Sequence, residues 1–297
     1  MYCNKDYGHP FYTSIKEENM EIIVGKNAGF CYGVKRAVDA AREECMENKE
    51  IYCLGDIVHN QHVIDDLKEK GVKFIDNIDE AKDKTIIRAH GVSKDVYEKA
   101  KKMKIELKDL TCPSVLKIHK IADEYSKKGY YIILTGKENH PEIIGIESYC
   151  GKKYKIIKDK EEIYSIIDDV KNEKKILLIS QTTFNSKKFD EIADILKNNI
   201  KQNLEIKKTI CPSTEIRQNE TEQIAKNVDY MIIIGDQKSS NTRKLYDISC
   251  EFCKNVAFIE NADELNIDRI KDMEKVGIMA GASTPDEQIE IVKGRLK

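Results

Sequence analysis

The sequence predicts an α/β fold of three pseudo-repeated lobes around a central cavity, each lobe a small, mainly parallel four-stranded sheet with flanking helices. Three observations predict it. Three segments open alike, MEIIVGKNAGFC, MKIELKDLTC and NLEIKKTIC, each a strand-like run ending in a cysteine: Cys31, Cys112 and Cys211. Behind each cysteine, apolar residues recur at helical spacing. In every copy strands and helices then alternate through four strands, the pattern of a parallel sheet covered by helices. The copies divide the chain into a short N-terminal extension (1–19), a first lobe (20–102, with Cys31), a second (103–202, with Cys112) and a third (203–297, with Cys211).

The elements follow in order within each copy. The helix after Cys31 has the stripe Val34, Ala37, Val38, Ala41 and Cys45. The helix after Cys112 has Val115, Ile118, Ala122 and Tyr125, and the one after Cys211 a weaker stripe of Ile216, Ile224 and Val228. Pro113 and Pro212 directly follow their cysteines, where a first-turn proline is favoured. Next come apolar strands that end at glycine, IYCLG, YYIILTG and YMIIIG, each followed by a polar loop, DIVHNQ, KENHPE and DQKSSNT. A helix and strand lead to Asn77-x-x-Glu80, Asp159-x-x-Glu162 and Asn261-x-x-Glu264, which read as helix N-caps without chemistry. A fourth strand runs into a second polar loop: TIIRAHGVS, ILLISQTTFN and VGIMAGASTP. Residues 1–19, with Cys3, His9 and Pro10, have no clear periodicity and read either as a flexible extension or as an upstream start not used in the cell; no function is assigned to them.

Composition narrows the function. The 297 residues are 40% hydrophobic and 34% charged, with 50 Lys and Arg against 52 Asp and Glu, a net charge of −2. That balance excludes a dominant electrostatic grip on nucleic acid. No run approaches the ~20 apolar residues of a membrane span and no signal-peptide pattern opens the chain, so a cytoplasmic, soluble protein is expected. Nine cysteines in a long chain without a secretory leader favour metal binding or catalysis over a disulfide framework.

In open parallel sheets the functional loops lie beyond the carboxyl ends of the strands. Those ends hold the three cysteines with His59, Asn60, His90, His140, Glu142, Gln181, Thr182, Ser239, Ser240, Asn241 and Ser283. One thiolate per lobe gives a three-cysteine site, each at a helix N-terminus whose dipole favours the thiolate. A structural zinc or an ordinary iron–sulfur cluster takes four protein ligands; a cubane held by three leaves one iron open. Cys45 and Cys53 read as packing residues, and so do Cys150, Cys250 and Cys253, because the C-x-x-C pair has no second pair and sits away from a strand's carboxyl end. No Walker or dinucleotide glycine fingerprint is present. Anion binding would therefore fall to His59, His90 and His140 and to the helix starts at Ser239-Ser240-Asn241 and Ser283. His62 and His119 read as surface or core residues. Glu142 reads either as a general acid in a closed site or as a helix-start carboxylate stabilised by the dipole.

The motifs GFCYGVKRA, VHN, AHGVS, TCP, HPE, QTT, SSN and GAS, in that order between residues 29 and 283, resemble those of the 4-hydroxy-3-methylbut-2-enyl diphosphate reductase family. The resemblance implies a three-lobed fold with a 4Fe-4S cluster on Cys31, Cys112 and Cys211. Its fourth iron would take the hydroxyl oxygen of an allylic diphosphate. His59, His90, His140, Ser239, Ser240, Asn241 and Ser283 would line the site and mostly bind the diphosphate, Thr182 would join the network near the alcohol, and Glu142 would supply the proton. Ferredoxin or flavodoxin is the implied electron donor. Departures are small: a proline after Cys211, and Arg88 ahead of His90. Two rivals stand beside this reading, another enzyme with one cysteine in each of three lobes, such as quinolinate synthase or the diphthamide-forming radical enzymes, and a non-enzymatic metal or redox sensor.

Overall fold

A computed structural model describes residues 11–16, 20–47, 50–201 and 203–296; Cys3, His9 and Pro10 lie outside them. Among the described residues thirteen strands form three sheets. The first combines β1 (Tyr12–Lys16), β2 (Glu21–Gly25), β11 (Tyr230–Ile234), β12 (Val256–Ile259) and β13 (Lys275–Ala280) in the order β1-β2-β13-β11-β12. The second holds β3 (Ile51–Leu54), β4 (Val72–Ile75), β5 (Thr85–Ile87) and β6 (Leu107–Asp109) in the order β4-β3-β5-β6. The third holds β7 (Tyr131–Thr135), β8 (Tyr154–Ile157), β9 (Lys175–Ser180) and β10 (Asn203–Ile206) in the order β8-β7-β9-β10. Among the described residues every pairing is parallel except that of β1 with β2.

The three mainly parallel sheets are those the repeat predicts, but they do not coincide with the three copies. The first strand of each copy joins the sheet of the copy before it: β6 pairs with β5, and β10 with β9. The first copy has none before it, and its β2 pairs with β13 near the chain's end. Apart from β1, all three sheets then share one topology. The extension also differs from expectation. Tyr12–Lys16 is a strand, antiparallel to β2, because β2 has an edge left to pair; that opportunity is set by the sheet and leaves no periodicity in the sequence.

The chain divides into two compact units, residues 1–32, 59–61 and 212–297 in the first, 33–58 and 62–211 in the second. In the first unit the sheet alternates its faces. Ile232, Ile234 and Ile278 pack toward Val292 of α10 (Asp286–Arg295), and Met231, Ile233 and Met279 pack with Ile224 of α8 (Pro212–Ala225) and Leu245 of α9 (Ser240–Phe252). In the second unit Ile133, Ile176 and Leu178 pack with α6 (Lys160–Val170) and α7 (Ser186–Asn199), while Ile132, Leu134, Leu177 and Ile179 pack with α4 (Pro113–Lys127) and α5 (Pro141–Glu147). The β3–β6 sheet is covered by α3 (Lys94–Met103), with α1 (Tyr32–Glu47) and α2 (Gln61–Glu69) completing the helices. Strands buried on both faces explain why these runs are continuously apolar. Each fully buried Ile or Leu contributes ~1.5–3 kcal/mol.

The predicted caps are present. Asn77 and Glu80 form a reciprocal capping box, the Asp159 carboxylate accepts from the Glu162 amide, and Asn261 caps the turn that holds Glu264. Two of the three start single 3-10 turns rather than α-helices. The weak stripe of α8 has a structural reason. Ile216 is 45% exposed, and the helix buries Thr214, Arg217, Gln218, Glu220 and Thr221 instead.

Candidate active site

Each cysteine stands three to six residues beyond the first strand of its copy and directly precedes a helix of 14 to 16 residues, α1, α4 or α8. One backbone bond sets all three in the same register. Cys31 donates its N–H to Ala282 O (3.2 Å), Cys112 to Ala89 O (3.0 Å) and Cys211 to Thr182 O (2.9 Å). Every cysteine is thereby fastened beside a residue singled out by sequence: Ser283, His90 and Thr182. All three are half-buried thiols outside any disulfide, soft donors at helix N-termini, which fits a thiolate-ligated metal group. In the second unit, Ser114 Oγ lies 3.8 Å from Cys211 Sγ. Gly33 has no room for a side chain, since a Cβ there would stand 2.7 Å from Cys112 Sγ.

Glu142 lies at the start of α5 and is 2% exposed. Thr182 holds both its oxygens: the amide donates to Oε1 and the hydroxyl to Oε2, each at 2.7 Å. Burial pushes the carboxyl up from 4.5 to about 7, against the lowering effect of the two Thr182 bonds. At neutral pH a large fraction therefore holds a proton, the condition for a general acid. The dipole-stabilised carboxylate that the sequence left open is outweighed by desolvation. Since the same Thr182 accepts from Cys211, acid and cysteine are tied through one residue.

Asn139 takes the left-handed backbone that asparagine tolerates (φ 62°) and turns the chain into α5. His140 caps that helix, its Nδ1 accepting from the Glu142 amide at 3.1 Å. In the neutral ring the proton then sits on Nε2. The His90 ring stands edge-on to His140, centroids 5.6 Å apart. Gln181 turns its Oε1 to the Lys137 amide, at 3.3 Å.

In the first unit the anion-binding candidates gather at the ends of β11 and β13. Ser239 caps α9, its Oγ accepting from the Thr242 amide at 3.2 Å. Ser240 is half-buried beside it. Asn241 is 4% exposed, and neither its Oδ1 nor its Nδ2 has a protein partner. A buried, unpaired side-chain amide is costly unless a ligand satisfies it. Ser283 Oγ donates to the His59 carbonyl (2.8 Å), and Asn60 Nδ2 to Gln288 Oε1 (3.1 Å). Two glycines permit this crowding: a Cβ on Gly281 would collide with Thr242 Oγ1, and one on Gly235 would stand 2.7 Å from Thr284 Oγ1.

Residues assigned to packing divide. Cys53, Cys150 and Cys253 are buried, with burial pushing the first two thiols up to about 12; Cys45 is half-buried. Cys250 departs from expectation and is exposed, on a face of α9 turned from the sheet. His119 is a core residue stacked on Tyr149 at 4.4 Å, pushed down to about 4 by burial. His62 is exposed. Sequence reasoning passed over Arg36, Arg217, Glu220 and Gln288. A charged residue inside an interrupted apolar stripe, as at Arg217 and Glu220, was the available signal.

The family model described as LytB protein matches residues 22–297. The chain is 42% identical over 284 residues to the 4-hydroxy-3-methylbut-2-enyl diphosphate reductase of Caldanaerobacter subterraneus subsp. tengcongensis, covering 94% of this chain and 97% of that one. A solved structure of (E)-4-hydroxy-3-methyl-but-2-enyl diphosphate reductase, the terminal enzyme of the non-mevalonate pathway, aligns with a TM-score of 0.67 at 38% identity, over 93% of this chain and 98% of the other. The Plasmodium falciparum E-1-hydroxy-2-methyl-but-2-enyl-4-diphosphate reductase aligns with a TM-score of 0.86 at 29% identity, over 94% and 88%. Among the described residues no helix is long and apolar enough to cross a membrane. With eight sequence motifs in order and the same three-sheet α/β architecture as these reductases, the chain belongs to the LytB family.

Proposed function

We propose that this protein is a cytoplasmic oxidoreductase that removes the hydroxyl of (E)-4-hydroxy-3-methylbut-2-enyl diphosphate. The products are isopentenyl diphosphate and dimethylallyl diphosphate, and the step is the last of the non-mevalonate isoprenoid route. Two electrons and two protons are consumed, and the hydroxyl leaves as water. Cys31, Cys112 and Cys211 would hold a 4Fe-4S cluster. When bound, that cluster supplies the electrons and one iron open to the alcohol oxygen.

The protein's own groups divide the remaining work. Glu142 delivers the proton to the departing oxygen. Thr182 is a partner that can reverse: its hydroxyl donates to the carboxylate and accepts from the protonated acid, so it can pass a proton between Glu142 and the alcohol. His140, through Nε2–H, and His59, His90, Ser239, Ser240, Asn241 and Ser283 bind the diphosphate, which fixes orientation far from the reacting bond. Ferredoxin or flavodoxin supplies the electrons. The observation that bears most weight is the buried Glu142, with a pKa of about 7 and both oxygens held by Thr182.

The test is anaerobic purification, iron and sulfide analysis, and turnover of the hydroxylated diphosphate with dithionite and a viologen. About four irons and four sulfides per chain, with both isoprenoid products, are expected. Absence of product from cluster-loaded protein would favour another three-cysteine enzyme or a sensor.

A further inference from the structure

The helix that begins after one cysteine grips the loop or the sulfur of another. Arg36, on the second turn of α1, donates from Nη2 to the carbonyls of Leu110 (3.0 Å) and Thr111 (2.7 Å), the two residues directly before Cys112. Arg217, buried on the second turn of α8, donates from Nη2 to Gly29 O (2.8 Å), two residues before Cys31, and from Nη1 to Ser213 O (3.2 Å). Glu220, one turn further along α8, accepts from the Lys26 and Asn27 amides at 2.7 and 3.1 Å, so the 26–29 loop is held at both ends. The third helix, α4, reaches Cys211 itself through the Ser114 hydroxyl. α1 thus acts on Cys112, α4 on Cys211 and α8 on Cys31.

We propose that Arg36 and Arg217 are positioning residues for the cluster. Their guanidinium groups lock the peptides that present Cys112 and Cys31, and they fix positive charge within three residues of thiolates that concentrate negative charge. The rigid, planar guanidinium suits this better than an ammonium, which keeps the charge but holds its acceptors less firmly at the end of a flexible stem. Nearby charge and hydrogen bonding also set a cluster's potential. This rests on the cluster reading above.

The experiment compares wild type with Arg36→Met, Arg217→Met, Arg36→Lys and Arg217→Lys. Arg295→Met serves as control, because Arg295 donates to the Ala262 carbonyl (2.9 Å) away from any cysteine loop. Three quantities are measured: release of iron to bathophenanthroline disulfonate, the cluster's midpoint potential, and unfolding of the apo-protein. The Met variants are expected to keep a cooperative apo-protein transition, to release iron about tenfold faster and to shift the potential negative. The Lys variants should restore the potential but not the release rate, and Arg295→Met should change neither. Met variants that match wild type in release and potential overturn the proposal. So does an equal effect from Arg295→Met, or loss of the cooperative apo transition in the Met variants, which would make the bonds props of the fold. If wild type itself holds no iron and sulfide, the cluster reading fails; if it does and the Met variants behave alike, only the positioning role fails.

Discussion

Glu142 in the second unit and Glu220 in the first are both buried carboxyls, 2% and 0% exposed, and each bonds a backbone amide. Their surroundings differ in charge. Glu220 accepts from two amides of the 26–29 loop and has the Arg217 guanidinium nearby; burial raises its pKa, and these partners draw it back. Glu142 is held by the amide and hydroxyl of one threonine, both neutral, and reaches about 7. Glu44, also buried, extends the series. Burial raises it, but Lys108 and Lys84 at 2.8 and 2.6 Å outweigh burial, and its pKa falls. Burial alone does not make an acid catalyst. A buried glutamate is raised toward neutral pH where its partners stabilise its position without paying back the lost hydration of the charge.

That comparison breaks most directly at Glu142. Glu142→Gln keeps shape and burial but has no proton to deliver, so turnover should drop about 10²–10⁴-fold, or ~3–5 kcal/mol of barrier, with cluster absorbance retained. Anaerobic turnover measures it, and an unchanged rate would remove the distinction between the two glutamates. Glu220→Gln should show up in stability. Turning an amide donor toward the Lys26 and Asn27 N–H groups should cost ~1–3 kcal/mol in denaturant unfolding, with turnover per bound cluster largely retained. A loss as deep as that of Glu142→Gln would make Glu220 part of the chemistry.

The smallest effect sharpens the comparison through pH. An acid must be protonated, so turnover should fall as pH rises through about 7. Thr182→Val removes a bond that lowers this pKa and should move the alkaline limb upward in a pH–rate profile, beside the fall in rate that follows from losing the hydroxyl that passes the proton. Stability follows the same sign. The folded carboxyl holds its proton more tightly than the unfolded one, so its contribution is full below 4.5 and lost as pH rises through about 7. Glu142→Gln should flatten that part of the unfolding profile, and an unaltered slope would mean that another group sets it.

Much of this was legible in the chain. The triplication could be read because each copy needs the same apolar strands and the same capping residues, Asn77, Asp159 and Asn261, to start its helices and turns. The site candidates could be read because a parallel sheet puts its functional loops at one end of its strands. The rest depended on partners remote in sequence. Tyr12–Lys16 is a strand only because β2 offers an edge. Arg217 and Glu220 look like surface charges until Gly29, Lys26 and Asn27, nearly two hundred residues away, supply their bonds.

The sequence by itself determined the repeating strand–helix units and which residue types stand at their ends, since periodicity, caps and turn chemistry act over a few residues. Only the tertiary structure decided that each copy lends its first strand to a neighbouring sheet, that Thr182 joins Glu142 to Cys211, and that burial raises the Glu142 carboxyl to about 7 while two lysines hold that of buried Glu44 down. Those outcomes depend on dielectric surroundings and on bonds between distant segments, and neither exists until the chain has closed on itself.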